Sequence, residues 1–194
     1  MGMLAINMAL PLAVGIGAVA LLGLWVAVAF NRLVKHRNLA AEGWSGIDVQ
    51  LQRRADLVPN LVECVKGYAE HEKLTLQRVT ELRGRAGAEK DLASRRADEN
   101  ALTDQLRRLF ALAEAYPDLK PNRNFLDLQA QLAEIENQVQ MARRYYNGAV
   151  RNYNIRVESF PSNLVAGLFG YGRMEFFEIE TATDRAAPHV EMGI

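Results

Sequence analysis

The three histidines and the single cysteine are the side chains of this sequence best suited to metal binding or nucleophilic chemistry. His36, His71 and His189 stand apart, and none has a second His or Cys three or four residues away. That spacing is what places two zinc ligands on one helix face. Cys64 lies among apolar neighbours, which is typical of a buried structural thiol. We therefore expect no metal, no cofactor and no thiol nucleophile.

A charged block offers the next candidate chemistry. Arg53, Arg54 and Asp56 lie close together, and His71 with Glu72 follows fifteen residues after Asp56. If the intervening helices packed together, Arg53, Asp56, His71 and Glu72 could line a hydrolase-like site. The spacing by itself specifies no acid–base pair, and a solvated or ion-paired helix surface is the simpler interpretation. The sequence thus predicts no enzymatic activity, with a hydrolase-like enzyme as the least favoured alternative.

An aromatic segment near the C-terminus is the strongest candidate for a binding surface. Five of the 15 aromatic residues fall within 18 positions. Residues 138–173 carry a net charge of +4 and residues 174–194 a net charge of −4. A basic aromatic segment is typical of a lipid interface or a subunit contact, although the same rings could instead cap a helical core. The candidate residues are Phe160, Phe169, Tyr171, Phe176 and Phe177.

The N-terminal region predicts a membrane anchor. No charged side chain precedes Arg32, and residues 8–30 are all apolar when Gly and Pro are included. As a helix they would extend about 34 Å, enough to cross a hydrocarbon core of about 30 Å. A cleaved signal peptide would have a basic start and a shorter apolar run, so residues 1–30 are predicted to be a retained single-pass anchor. Arg32, Lys35 and Arg37 follow it, and the positive-inside rule places the remaining chain in the cytoplasm with the N-terminus outside.

Beyond the anchor the apolar residues recur with helical spacing. Prolines and glycines divide this region into predicted helices of 31–57, 60–83, 90–116 and 124–158. These lengths favour an elongated antiparallel four-helix bundle over 31–160, or three helices if Pro59 only kinks a long first one. Residues 161–194 would add a short aromatic helix and an acidic tail. The fold is thus predicted to be all-α, and the last helix carries a coiled-coil-like seam: Phe125, Leu128, Leu132, Ile135, Val139, Ala142, Tyr146, Ala149 and Tyr153.

Two similar asparagine patterns predict how the first and last bundle helices align. Both contain Asn-x2-Val-basic-x2-Asn, beginning at Asn31 and at Asn147. In an antiparallel pair, Asn31 would meet Asn154 and Asn38 would meet Asn147. Paired amides in an apolar seam set the register between helices; the alternative is that these asparagines face water.

Several blocks of this sequence resemble the LemA family of bacterial membrane proteins. The resemblance covers most of residues 31–177 and is weak near 88–110. It implies an N-terminal anchor and an α-helical bundle, and it implies no established enzymatic activity. The matching blocks are Asn31-Arg32-Leu33-Val34, the stretch from Trp44 to Val62, Ala113 to Lys120, Asn124-Phe125-Leu126, Ala142-Arg143-Arg144 and Phe160-Pro161-Ser162-Asn163.

These features together predict a membrane-anchored helical scaffold that self-associates and organises or reshapes membrane. The expected partners are the lipid bilayer and further copies of the chain, whereas a protein partner is not identified. An adaptor for a membrane peptidase or signalling protein is the main alternative. Nucleic acid is not an expected ligand, because 23 basic residues are balanced by 23 acidic ones.

Overall fold

The computed structural model describes residues 2–68, 72–86, 92–113, 115–119 and 121–177. Within these ranges the chain is all-α, as predicted, and has no strand. Its helices are α1 (Gly2–Lys66), α2 (Lys73–Ala86), α3 (Leu92–Ala113), α4 (Arg123–Glu158) and the short α5 (Ser162–Leu168).

Of the two predictions for Pro59, a boundary between helices is wrong and a first helix that continues past the proline is correct, because α1 extends to Lys66. A proline inside a helix leaves the carbonyl four residues earlier without its usual amide donor. Here that carbonyl belongs to Ala55, and the Nε of Arg83 on α2 donates to it at 3.0 Å. Pro59 itself is exposed, while Val58 and Leu61 on either side are buried. Tertiary packing and a side-chain donor therefore carry the helix past the proline, and the predicted helix 60–83 is replaced by the end of α1 and by α2.

The described chain divides into two units, each containing part of α1 and part of α4. The anchor unit comprises Met1–Gly43 with Tyr145–Phe176, and the bundle unit comprises Trp44–Arg144 with the chain from Phe177 onward.

The bundle unit has an aliphatic core to which four helices contribute. Asn122 caps the start of α4, since its side-chain oxygen accepts from the amide of Phe125 at 3.2 Å. The predicted seam on the last helix is confirmed, since its residues are buried except Leu128 and Ala142, which are half-buried. The core residues are Val58, Leu61 and Val65 on α1, Leu76, Val79 and Leu82 on α2, Leu102, Leu106, Leu109 and Ala113 on α3, Leu119 in the following turn, and Phe125 and Leu132 on α4.

In the anchor unit α1 and α4 are adjacent and antiparallel. Gly43 lies against Tyr146, whereas His36, earlier on α1, lines a cleft with Arg156, later on α4. A Cβ at Gly43 would lie 3.0 Å from the Cα of Tyr146, so a larger residue would push the two backbones apart by a few tenths of an ångström. The predicted antiparallel pairing of first and last helices is confirmed here.

The N-terminal part of α1 is long and apolar enough to cross a membrane. Its most apolar 18-residue window is not buried in the protein at all, unlike the core helix of a soluble domain. Large side chains from Leu12 to Leu24 are exposed throughout. The last turns of this apolar stretch are covered on one side by α5, whose Val165 and Ala166 pack against Ala29 and Leu33.

Candidate functional site

Three side chains of α4 hold the extended segment that follows α5. The amide of Asn154 both donates to the carbonyl of Met174 and accepts from its backbone N–H, each at 2.9 Å. The hydroxyl of Tyr153 donates to the carbonyl of Gly172, and that of Tyr146 to the carbonyl of Glu175, also at 2.9 Å. Burial raises the pKa of both tyrosines, so both remain neutral donors at physiological pH. The aromatic segment is thus placed by an ordered clamp on the last helix.

Two of the predicted aromatic residues pack beside the end of the apolar stretch. The ring of Phe30 lies 4.8 Å from that of Phe169 and 5.9 Å from that of Tyr171, measured between centroids. The guanidinium of Arg37 sits over the ring of Tyr171 at 5.8 Å. This geometry joins an aromatic cluster to a basic side chain just beyond the predicted span.

Four apolar side chains of α5 and its flanks are open to solvent. Phe160, Leu164, Leu168 and Phe169 are all exposed; we call these four residues the α5 face. Sequence reasoning found its two phenylalanines and missed its two leucines. The spacing of Leu164 and Leu168, four residues apart, is the signal that could have identified them.

Phe177 does not belong to that exposed surface, because it is completely buried in the bundle unit. Its ring lies 5.4 Å from that of Trp44, and the guanidinium of Arg143 is 5.6 Å from its centroid. Arg95 in turn lies 5.4 Å from the ring of Trp44. The core-capping interpretation therefore holds for Phe177, while Phe176, in the anchor unit, is partly exposed.

A polar cleft of about 450 Å³ lies between α1 and α4 in the anchor unit. It is lined by His36, Arg156 and Ser162, among others. The Ser162 hydroxyl lies within hydrogen-bond distance of the carbonyls of Arg156 and Ser159, at 2.7 and 2.9 Å. Burial, followed by the positive charges of Arg156 and Lys35, lowers the pKa of His36. The cleft is therefore a basic environment in which the imidazole is neutral near pH 7.

Arg54 is the buried charge that sequence reasoning missed. Its side chain is 2% exposed and is ion-paired with Glu99 and, at 3.1 Å, with Glu136. It also donates to the Thr103 hydroxyl at 2.7 Å. Burial raises the pKa of Glu99, and the charge and hydrogen bond of Arg54 oppose that rise. Arg54 on α1 therefore links three helices, because its ion-pair partners lie on α3 and α4.

The position of Arg54 in the sequence contained the signal for its burial. Arg54 occupies a seam position of α1, with three- and four-residue spacings to Leu51 and Val58. Glu99 has the corresponding position three residues before Leu102 on α3. Opposite charges at two otherwise apolar seams predict an internal ion pair.

The asparagine register is only partly addressed by the structure. Asn154 is buried and bonded to Met174, while Asn31 is exposed. The predicted Asn31–Asn154 pair is therefore replaced by a contact between α4 and the segment after α5. Asn38 is exposed and Asn147 half-buried, and their pairing stays a prediction.

Two residues of the hydrolase alternative, Arg53 and Asp56, lie on one helix in the structure. Arg53 and Asp56 are exposed on α1 and bond to neighbours on the same helix, Gln50 and Gln52. His71, His189 and the acidic tail from residue 178 lie outside the described residues. In the part of the chain that the structure describes, no three His, Cys, Asp or Glu side chains are grouped as metal ligands.

Comparison with known proteins identifies relatives over most of the chain. Residues 43–192 match the model of the LemA family. Magnetosome protein MamQ 2 of Paramagnetospirillum magneticum is 27% identical over 169 residues, which is 72% of this chain and 61% of that protein. Magnetosome protein MamQ of Magnetospirillum gryphiswaldense is 24% identical over 184 residues, covering 80% and 66%. Protein LemA of Metamycoplasma hominis is 25% identical over 138 residues, covering 70% and 63%.

The chain thus spans less than two thirds of the length of these relatives. The exposed apolar helix at the N-terminus and the match to the LemA family both indicate a membrane-associated helical protein. Since the family model matches more than half of the residues, this chain belongs to the LemA family.

Proposed function

We propose that this chain is a membrane-anchored scaffold whose bundle self-associates and thereby organises the membrane that carries it. The observation that carries the proposal is a mostly apolar stripe exposed on α4 in the bundle unit, with Asn137 as the one polar residue within it. Leu126, Ala130, Ala133 and Met141 are all exposed. At 3.6 residues per turn they fall within an arc of about 80° and extend over about 22 Å. Small residues beside large apolar ones allow two helices to approach closely, so the stripe suits a second copy of α4.

The charges that follow the apolar stretch support a single-pass anchor. The stretch belongs to α1, which is one helix from Gly2 to Lys66. With Arg32, Lys35 and Arg37 directly after the span, the proposed topology is single-pass, with the bundle in the cytoplasm.

A catalytic role is not part of the proposal. The buried Arg54 is ion-paired with Glu99 and Glu136, an arrangement that holds helices together. The candidate residues Arg53 and Asp56 are exposed on the α1 surface. The names of the relatives, LemA and magnetosome protein, state no reaction.

The test is the mass of the full chain, measured by light scattering in mild detergent and by crosslinking in liposomes. We expect assemblies larger than a monomer that Leu126→Glu with Met141→Glu reduces to monomers, because charge on the stripe opposes its burial. Leu74→Glu on α2 is the matched control, since Leu74 is also exposed and apolar. Helicity should be unchanged in both variants. A parent chain that is monomeric in lipid would contradict self-association and favour the adaptor alternative.

A further inference from the structure

The position of α5 along α1 determines what its open face meets. Val165 and Ala166 pack on Ala29 and Leu33, and the uninterrupted apolar run ends at Phe30. The contact therefore lies within about one helical turn, or about 5.4 Å, of the end of the predicted span. At that level the surroundings of α1 change from acyl chains to lipid headgroups.

The α5 face is strongly apolar for a surface that would otherwise meet water. Phe160 is 80% exposed, Leu168 77%, Leu164 61% and Phe169 50%. Contiguous exposed apolar patches mark membrane or protein contacts. Leu22, within the span and one turn before Val26 of the same cluster, is also exposed, so an apolar surface that already requires lipid lies close to α5 along α1.

The charges around this face match an anionic headgroup layer. Outside the span, the anchor unit carries six Arg and Lys side chains against three Glu. Arg32, Lys35 and Arg37 are exposed on the first turns after the span, and Arg156 lines the neighbouring polar cleft. Apolar side chains with basic residues beside them are the pattern of segments that lie in the interface of anionic membranes.

We infer that the α5 face is seated in the headgroup–acyl boundary of an anionic bilayer, as a second membrane contact beside the α1 span. A second copy of the chain is a less suitable occupant, because a partner at this depth would have to displace lipid from the end of the span. The inference rests on the membrane anchorage included in the proposed function and is independent of self-association.

The test places an environment-sensitive NBD label on the full chain, reconstituted in vesicles of phosphatidylcholine alone or mixed equally with phosphatidylglycerol. All variants carry Cys64→Ser. The label is attached at Leu168→Cys in one variant and at Leu164→Cys in another, and helicity is measured in each. Tyr145→Cys is the matched control, since Tyr145 is 51% exposed and lies beside Gly43, about 20 Å beyond Phe30 along α1.

We expect the labels on α5 to show blue-shifted emission and to lose fluorescence when the vesicles contain nitroxide-labelled acyl chains. The control label should show neither effect, and the quenching on α5 should be stronger with phosphatidylglycerol. Replacing Arg32, Lys35 and Arg37 with Gln should reduce it to the level of the neutral vesicles.

Three results would overturn the inference. A water-like emission at both α5 sites would mean that the face is not in the bilayer, and a blue shift without lipid quenching would mean that protein covers it. Equal quenching in both vesicle types would refute the preference for anionic lipid. If carbonate washing released the chain, the anchorage itself would fail, so that failure is distinguishable from failure of the α5 contact.

Discussion

Replacing Arg54 with Met removes the positive charge from the core of the bundle unit while keeping an apolar side chain of similar length. Glu99 is almost as deeply buried as Arg54, whereas Glu136 is about one-third exposed. Glu136 can therefore recover water as a partner, and Glu99 cannot. We expect the unpaired Glu99 carboxylate to dominate the loss of stability.

The loss of stability cannot exceed the free energy needed to protonate Glu99, because a neutral Glu99 no longer needs a charged partner. From an ordinary pKa of 4.5, taking up a proton at about pH 7 costs about 3.4 kcal/mol, at about 1.36 kcal/mol per pH unit. This value lies within the range of about 3–5 kcal/mol found when one partner of a buried ion pair is removed. At about pH 5 the same protonation costs only about 0.7 kcal/mol, so most of the loss should disappear.

The sign of the pH dependence follows from the folded pKa of Glu99. Burial already raises this pKa in the native protein, and removing Arg54 should raise it further. The folded variant then binds a proton that the unfolded chain releases, so its stability falls as the pH rises above about 4.5. Relative to the parent, Arg54→Met should be destabilised by at most about 3 kcal/mol near pH 7, since part of this cost is already present in the parent, and by under about 1 kcal/mol near pH 5.

Urea unfolding of the full chain in mild detergent, followed by far-UV ellipticity at both pH values, measures these differences. Arg53→Met is the matched control, since it removes the same charge from an exposed neighbouring position and should change stability by under about 0.5 kcal/mol. Adding Glu99→Gln to Arg54→Met should restore most of the loss near pH 7. A loss that is the same at both pH values, or no larger than that of Arg53→Met, would refute the buried-pair argument.

Three further substitutions test other contacts. Gly43→Ala should destabilise the chain by about 1–3 kcal/mol through steric overlap with the α4 backbone. Gly46→Ala should stabilise it by about 0.5–1 kcal/mol, because a Cβ there meets nothing within 4 Å. Thermal unfolding compares the two variants, and equal shifts of the melting temperature would contradict the close approach at Gly43. Asn154→Ala should leave helicity intact but speed amide exchange and proteolysis in the extended segment after α5, and unchanged exchange there would contradict the clamp. Arg83→Met should lower the free energy of unfolding by about 1 kcal/mol in the parent. The loss should be smaller in a Pro59→Ala background, because alanine restores the missing backbone amide. A double-mutant cycle with no coupling would show that Arg83 does not replace that amide.

Local patterns in the sequence predicted the helical fold. The seam of α4 recurs every three or four residues because one helix face must be buried, and in the structure seven of its nine residues are buried and two are half-buried. The apolar run before Arg32 is long enough to cross a membrane irrespective of how the rest of the chain packs. Both predictions depend on composition and period along a single helix, and the order of residues contains that information directly.

Tertiary structure decided the features that depend on what faces each residue. Pro59 is a helix breaker by local chemistry, yet α1 continues because Arg83 of another helix reaches the carbonyl of Ala55. Phe169 and Phe177 are alike in sequence, but only Phe177 is buried, against Trp44. Burial and hydrogen-bond partners arise between elements distant along the chain, so spacing within one element leaves them undetermined.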